Sequence, residues 1–468
     1  MTSKQLYHSL PYPLRVLGAS AYGYYLRGWR YGFDTEQRVE QAIERESWSP
    51  EQWKAWREER LAYVLYRAAH KVPYYRAHWE ERRRKGDQSS FEHLENWPIL
   101  DKEALRETPD AFIADDYNPS WMYKKTTSGT TGKPVQVWQS REAVKEWYAL
   151  FEARCRAWNG VSRHDRWANV GGHIVAEVER EEPPFWVWNA GLKQLYMSSY
   201  HLSPEHIPAY FEALREYDID YIWGYSSSLY ALAREALRRD EQIHMHVAMT
   251  NAEPLMAHQR TAIREAFQCR TIETYGQVET VTAASECEEG SMHLWPEAGV
   301  LEVIGKNGDT LAHGETGEFI STGLLSAGMP LIRYRLGDWG SVSENSCGCG
   351  RKLPVLESVE GRTDDVIILP GGRRVGRLDP VFKSDLPIRE AQIIQHAVDD
   401  VSIKFVPDAT CTEEDAQRLA HRLRERIGST VGINLQEVES IPRTSNGKFR
   451  AVISKVNDSD MSENDNHG

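Results

Sequence analysis

The run Lys125-Thr126-Thr127-Ser128-Gly129-Thr130-Thr131-Gly132-Lys133-Pro134 has the composition of a polyphosphate cradle. Glycines at 129 and 132 let the backbone turn its N–H groups inward, and five hydroxyl side chains add donors beside them. Lys133 sets a positive charge against the phosphates. The run is not a Walker-type loop, because Pro134 stands where that motif needs a hydroxyl residue and the start of a helix. Taken alone, it is also the composition of an ordinary solvated loop.

A second chemistry is written in Cys287-x5-His293 and Cys347-Gly348-Cys349. Three thiolates and one imidazole suit tetrahedral Zn²⁺, although the spacing within each half is not that of a zinc finger. A fully protein-ligated ion leaves no position for a substrate, so the expected role is structural. The competing reading is free buried thiols, which is the one given to Cys155, Cys269 and Cys411.

The elements that must hold these residues can be traced along the chain. Ser49-Pro50-Glu51 opens a helical pattern running to about Lys71, and a second covers Tyr75 to Arg84. Ser140 to Trp158 reads as one long helix after the glycine-rich loop. Beyond Arg166, short apolar runs (Trp167–Val170, Tyr221–Trp223, His246–Met249) alternate with helical patterns such as Leu229–Leu237, the signature of a largely parallel α/β sheet. Val300–Ile304 and Gly317–Ser321 read as strands, and an amphipathic helix spans Glu413 to Ile427. No solenoid-period repeat occurs. The tyrosine- and arginine-rich segment from Leu6 to Arg30 is expected to pack on the main domain, with a membrane-interface role as the alternative.

Composition narrows the function classes. With 468 residues, 41% apolar and 27% charged, the chain is long enough for two to four domains with their own cores. A formal net charge of −13 argues against a nucleic-acid backbone as the main partner. No run of eighteen apolar residues could span a bilayer, the N-terminus makes a poor secretory signal, and six cysteines are too few for a disulfide framework. A cytoplasmic protein is expected.

Further motifs follow the first loop in a fixed order: Ala252-Glu253-Pro254, Tyr275-Gly276-Gln277-Val278-Glu279, Arg333-Tyr334-Arg335-Leu336-Gly337-Asp338, Gly361-Arg362-Thr363-Asp364-Asp365 and Pro442-Arg443-Thr444-Ser445-Asn446-Gly447-Lys448. Together with the opening loop, they make residues 60 to 455 resemble the adenylate-forming acyl ligases. The Gly-Lys-Pro ending of the loop is similar to the phenylacetate–CoA ligase-like branch, whose members include enzymes encoded near capsule and exopolysaccharide genes.

The resemblance implies an α/β protein with a large N-terminal domain (1–361) of mixed, largely parallel sheets. A small mobile α+β lid (362–457) and a disordered tail (458–468) would follow. It implies ATP, Mg²⁺ and CoA as ligands, with a structural Zn²⁺ supported by a similar Cys/His set in some relatives. Thr127, Ser128, Gly129, Thr130, Thr131, Gly132 and Lys133 would cradle the phosphates, and Glu279 would hold Mg²⁺. Tyr275 and Gly276, with the Ala252-Glu253-Pro254 turn, would border adenine, Asp338 would take the ribose hydroxyls, and Arg362 would reach ribose or phosphate. Asp364 would be the hinge. Lys448 would bridge carboxylate and α-phosphate as charge builds between them.

The acid is expected near Gly172, His173, Tyr225 and Ser226. There His173 either touches the carboxylate or sits satisfied in the core, and the serines either donate or cap a helix. The implied reaction is activation of a small carboxylic acid as its acyl-adenylate, followed by transfer to CoA or to an amine acceptor. A homodimer is left open.

Overall fold

The computed structural model describes residues 7–127, 135–177, 180–362, 367–369, 374–375, 378, 381, 386–428, 430–444 and 449–456. Helix α1 (Tyr12–Arg30) carries Pro13 in its first turn, where a missing N–H costs nothing. It crosses the following domain at a glycine contact. A methyl group on Gly191 would come 2.3 Å from the Tyr24 nitrogen, so the crossing needs glycine there. The helix packs through Gly23 and Leu26 yet leaves Leu17, Tyr24 and Tyr25 exposed.

Helices α2 (Thr35–Arg45), α3 (Pro50–Lys71), α4 (Pro73–Arg84) and α5 (Lys102–Glu107) follow. A capping box opens α3: the Ser49 hydroxyl accepts the Gln52 N–H at 3.3 Å and Gln52 Oε1 accepts the Ser49 N–H at 2.9 Å.

Strands β1 (Tyr123–Thr126) and β2 (Gln136–Gln139) form an antiparallel hairpin that leads into α6 (Arg141–Phe151). The single helix expected through Trp158 is instead three pieces. Helix α6 widens into a π turn at Glu152–Arg156 and tightens to a 3₁₀ turn at Ala157–Asn159, ending at Gly160 with φ +69°. All five π-turn residues are buried. Two inward arginines account for the widening. Arg154 makes a bidentate pair with Glu297 at 2.7 and 2.8 Å, and Arg156 binds Glu152 and the Tyr221 hydroxyl.

A twelve-stranded sheet forms the body of the molecule. Strands β3 (Trp167–Gly171), β4 (Trp186–Asn189), β5 (Gln194–Ser198), β6 (Tyr221–Tyr225), β7 (Val247–Asn251) and β8 (Arg270–Gly276) enclose helices α7 (Ile207–Glu216), α8 (Ser226–Arg238) and α9 (Ala257–Phe267). Strands β9 (Ala283–Glu286), β10 (Met292–Leu294), β11 (Gly299–Ile304), β12 (Gly317–Gly323), β13 (Tyr334–Val342) and β14 (Val355–Arg362) complete it. The spatial order is β11-β12-β13-β14-β10-β9-β8-β7-β6-β3-β5-β4.

From β5 to β8 the pairing is parallel; from β8 onward it is antiparallel. The switch occurs within β8, whose first half pairs with β7 and whose Thr274–Gly276 pairs with β9. The parallel strands are apolar runs because α8 and its neighbours cover them, as in Val247-Ala248-Met249-Thr250, all buried.

After the short strands β15 (Ile367–Ile368) and β16 (Arg374–Val375) come β17 (Ile388–Ala397), β18 (Asp400–Pro407), α10 (Glu413–Ile427), β19 (Gly432–Glu437) and β20 (Val452–Ser454). The last four strands pair in the order β19-β18-β17-β20. They have their own core with α10, in which Ile393, Val401, Ile403, Leu419 and Leu423 are at most 1% exposed. Among the described residues, no helix is long and apolar enough to cross a membrane.

Candidate active site

Four of the expected turns emerge from the carboxyl ends of four adjacent strands. Gly172 and His173 follow β3, Tyr225 ends β6 and Ser226 opens α8 directly after it, Ala252-Glu253-Pro254 follows β7, and Gln277 to Glu279 follows β8, which ends at Gly276. This is the edge at which open α/β sheets bind ligands, because the chain leaves every parallel strand in the same direction. The β1–β2 hairpin meets this edge. Its neck closes by the Thr127 N–H on the Val135 carbonyl (2.9 Å) and the Val135 N–H on Thr127 Oγ1 (2.8 Å). The Gln139 amide donates to Thr280 Oγ1, beside Glu279. Ser128, Gly129, Thr130, Thr131, Gly132 and Lys133 lie outside the described residues.

Tyr275 and Asp338, distant in sequence, meet here: the phenol donates to Asp338 Oδ2 at 2.7 Å, and the carboxylate is 8% exposed. Strand register sets Asp338 opposite Arg362, whose side chain lies outside the described residues, as does Asp364. Glu279 is half-buried and takes the Tyr334 hydroxyl on Oε1 at 2.7 Å; its second oxygen accepts no hydrogen bond from the described residues. A carboxylate with one oxygen fixed and one available suits Mg²⁺, which takes one or two protein oxygens and keeps waters. Thr280 follows with φ +55°, rare for a β-branched residue, and so does Ala252 with φ +63°. Both strained turns point their neighbours, Glu279 and Glu253, at the same edge.

Glu253 is a tie-point. Its Oε2 accepts the Ser227 N–H at 2.9 Å, at the amino end of α8, and its Oε1 accepts the Phe449 N–H at 2.7 Å. Burial raises the carboxyl above its ordinary range, against the pull of those N–H groups and of Arg443. The acidic residue expected at the rim of adenine therefore also grips the residue after Lys448. Lys448 itself is outside the described residues.

The expected acid end is lined with phenols. Tyr200 donates to the Gly172 carbonyl at 3.2 Å, the His173 N–H lies 3.4 Å from the Tyr196 hydroxyl, and the His173 ring meets Tyr196 edge-on at 5.1 Å. A methyl on Gly171 would sit 2.7 Å from the Tyr196 oxygen, which explains the glycine. Burial pushes Tyr225 up to about 12, and Glu253 adds to that shift. Two expectations change. Ser226 is fully buried and gives its hydroxyl to the Glu253 carbonyl at 3.1 Å, so it braces the β7 turn instead of facing the acid. His173 is exposed by surface area, not a satisfied core residue, and crowding by the surrounding protein, followed by Arg30, depresses its pKa.

Lys125 went unremarked among the expected site residues. Burial, and then Arg30, lower its ammonium to about 7, while Glu279 pulls the other way. Its place at the foot of the loop was the only signal in the sequence. Arg30, outside every motif, gave none.

The Cys/His set comes together because β10 pairs with both β9 and β14. The ligating atoms of Cys287, His293, Cys347 and Cys349 all lie within 4.8 Å of one another. Cys287 Sγ is 3.6 Å from Cys347 Sγ, and Cys349 Sγ is 3.3 Å from His293 Nε2. A tetrahedron with ordinary zinc bonds has edges of roughly 3.8 Å between sulfurs and roughly 3.6 Å from sulfur to nitrogen. His293 Nδ1 faces the Leu353 carbonyl at 3.2 Å, which assigns the proton there and leaves Nε2 for a metal. Cys155 and Cys269 are buried free thiols; Cys411, expected to be the same, is only half-buried.

Residues 54–325 match the AMP-binding enzyme family, and residues 370–455 match the CapK C-terminal domain. Protein CapK of Staphylococcus aureus is 24% identical over 388 residues, covering 79% of this chain and 82% of that protein. The phenylacetate-coenzyme A ligase of Thermus thermophilus is 24% identical over 445 residues, covering 86% and 96%. Among solved structures, 2-hydroxyisobutyryl-CoA ligase in its postadenylation state is similar with a TM-score of 0.68 at 20% identity, covering 90% of this chain and 93% of that one.

Proposed function

The chain belongs to the AMP-binding enzyme family, as an adenylate-forming ligase of the phenylacetate–CoA ligase-like, CapK type, and from that premise we propose the reaction it carries out. A carboxylate oxygen of a small acid attacks the α-phosphorus of ATP, the bond to the β-phosphate oxygen breaks, and pyrophosphate leaves. The sulfur of CoA then attacks the acyl carbon, AMP departs, and the thiol proton is lost. The observation that supports this most is the Tyr275–Asp338 pair beside Glu279, at the carboxyl edge of β3, β6, β7 and β8.

In this reading the phenol of Tyr275 faces adenine while its hydroxyl orients Asp338 for the ribose. Glu279 would hold Mg²⁺, which supplies charge neutralisation between the phosphates. Residues 362–457 act as the lid that brings Lys448 in for adenylation and withdraws it afterwards. The Cys287/His293/Cys347/Cys349 set holds a structural Zn²⁺ that staples the β9–β10 and β13–β14 turns. Amide formation with an amine acceptor, in polysaccharide or natural-product synthesis, is the second reading. It shares the first step and differs in the acceptor.

The test is ATP–pyrophosphate exchange over a panel of acids, without CoA and without amine. Exchange with one class of acids supports adenylation, and its loss in Lys448→Ala with ATP binding retained places the lysine in the chemistry. Exchange with no acid refutes the reading. CoA consumption in a second assay separates thioester from amide formation.

A further inference from the structure

Helix α1 is apolar on the side turned away from the protein. Its buried side runs through Arg15, Gly23 and Leu26. At about 3.6 residues per turn, Leu14, Leu17, Gly18, Ala21, Tyr24 and Tyr25 fall on the opposite side, and all of them are exposed. The outward side of a surface helix ordinarily carries charge. Here the single charged residue between Leu14 and Tyr25 is Arg15, which is buried on the other side. Leu14, Leu17, Tyr22, Tyr24, Tyr25 and Phe33 are large apolar side chains left exposed within twenty residues. Among the described residues, no stretch of that length outside it holds more than two, so this is a patch and not the usual scatter of single side chains.

The same segment is basic. The first 33 residues hold Lys4, Arg15, Arg27 and Arg30 and no Asp or Glu, in a chain of net charge −13. At the carboxyl end of α1 the Arg141 guanidinium donates to the Gly28 carbonyl at 2.7 Å. A solvent-connected cleft of about 480 Å³ opens on the flank of the helix, lined among others by Arg27, Arg30, His164 and Lys193. Arg27 and Lys193 are exposed at its rim.

We propose that α1 lies along the surface of an anionic lipid bilayer, with its outer face among the headgroups and acyl boundary and with Arg27, Arg141 and Lys193 against headgroup phosphates. The helix rests on the membrane and does not cross it. Charge selects this occupant over a second copy of the chain. Two copies meeting along α1 would bring two basic, acid-free segments together, whereas an anionic surface complements both the apolar stripe and its basic flank. A paired helix would also cover the stripe alone. Fully exposed Phe33, and Trp121 two residues before the Tyr123 ring that packs on Trp29, lie by the carboxyl end of α1, where a flat surface reaches them too. Tyrosine suits that depth, since its ring is apolar and its hydroxyl stays wet. This contact is independent of the reaction assigned to the site.

The experiment is co-sedimentation of the full-length protein with vesicles of phosphatidylcholine, either pure or with about a third phosphatidylglycerol. The wild type is expected to bind the anionic vesicles, to bind the neutral ones at least ~10-fold more weakly, and to be released by salt. Leu17→Glu is expected to weaken binding by ~10-fold or more, because it withdraws apolar contact and adds a charge the surface repels. Arg27→Gln is expected to cost about fivefold, on the anionic vesicles only. Both side chains are exposed, so both variants should unfold at the wild-type temperature, which separates lost contact from lost fold. Sedimentation velocity without lipid tests the competing occupant. A wild-type dimer that Leu17→Glu dissociates, with no vesicle binding, assigns the face to a second copy and overturns the inference. Binding to neither vesicle overturns it, as does Leu17→Glu binding as tightly as the wild type.

Discussion

Replacing Glu253 by glutamine separates two jobs that its carboxylate performs at once. One oxygen caps the amino end of α8 through Ser227 at 2.9 Å; the other holds the Phe449 N–H at 2.7 Å, one residue past Lys448. An amide of the same shape has one acceptor, so one of the two N–H donors must face an NH₂ group. A hydrogen bond to a charged group is worth about 1.5–3 kcal/mol net. Burial already holds Glu253 above the usual carboxylate range, so the neutral amide recovers part of that loss.

A cost near the foot of that range, about 1–2 kcal/mol, is therefore expected, or about 5- to 30-fold in rate if the Phe449 contact is the one lost. ATP–pyrophosphate exchange should fall by that factor in kcat, with KM for ATP nearly constant, because the defect is in presenting Lys448. Thermal unfolding reports the other job: a lowered midpoint means the α8 cap was lost as well. Exchange within twofold of wild type, with an unchanged midpoint, would refute the reasoning. A loss falling wholly on KM for ATP would leave Glu253 as a wall of the adenine site and nothing more.

Tyr275→Phe removes the donor to Asp338 and keeps the ring. KM for ATP is expected to rise about tenfold, in line with roughly 1.5 kcal/mol for a hydrogen bond to a charged group, and kinetics in ATP alone decide it. Lys125, held down to about 7, gives a pH prediction. Between about 7 and its unfolded value near 10.4, the free folded protein binds fewer protons than the unfolded chain, so this group's contribution to stability grows as pH rises through that window. Anion binding reverses the shift, so ATP affinity should weaken above about pH 7, by up to ~10-fold per unit, with net proton uptake at pH 8 seen by calorimetry in two buffers. No proton uptake would remove Lys125 from the site. Metal analysis should find about one zinc per chain, and Cys349→Ser should lower both zinc content and unfolding temperature. A zinc-free protein of unchanged stability would dispose of the metal.

What could be read in advance was whatever local chemistry dictates. Helix α10 spans the residues anticipated, Glu413–Ile427, because Thr412 and Asp415 form a capping box and Gly428, φ +92°, stops the turn. The four site turns lie together because the strands that precede them are neighbours in one sheet, and two of the turns carry left-handed backbone, at Ala252 and Thr280. The Cys/His set was recognisable by ligand type, but only the β10 pairing on both sides explains why residues sixty apart converge.

Other features had no local trace. Ser226 looks like a pocket donor until the β7 turn takes its hydroxyl, and the break in the helix after Phe151 depends on Glu297 and Tyr221, far along the chain. Arg30 is the extreme case. In sequence it is one arginine among several in an aromatic segment, and nothing near it hints at a ligand. Its place comes from the fold alone, since the last turn of α1 sets its guanidinium 4.4 Å over the Tyr148 ring of α6, more than a hundred residues along the chain.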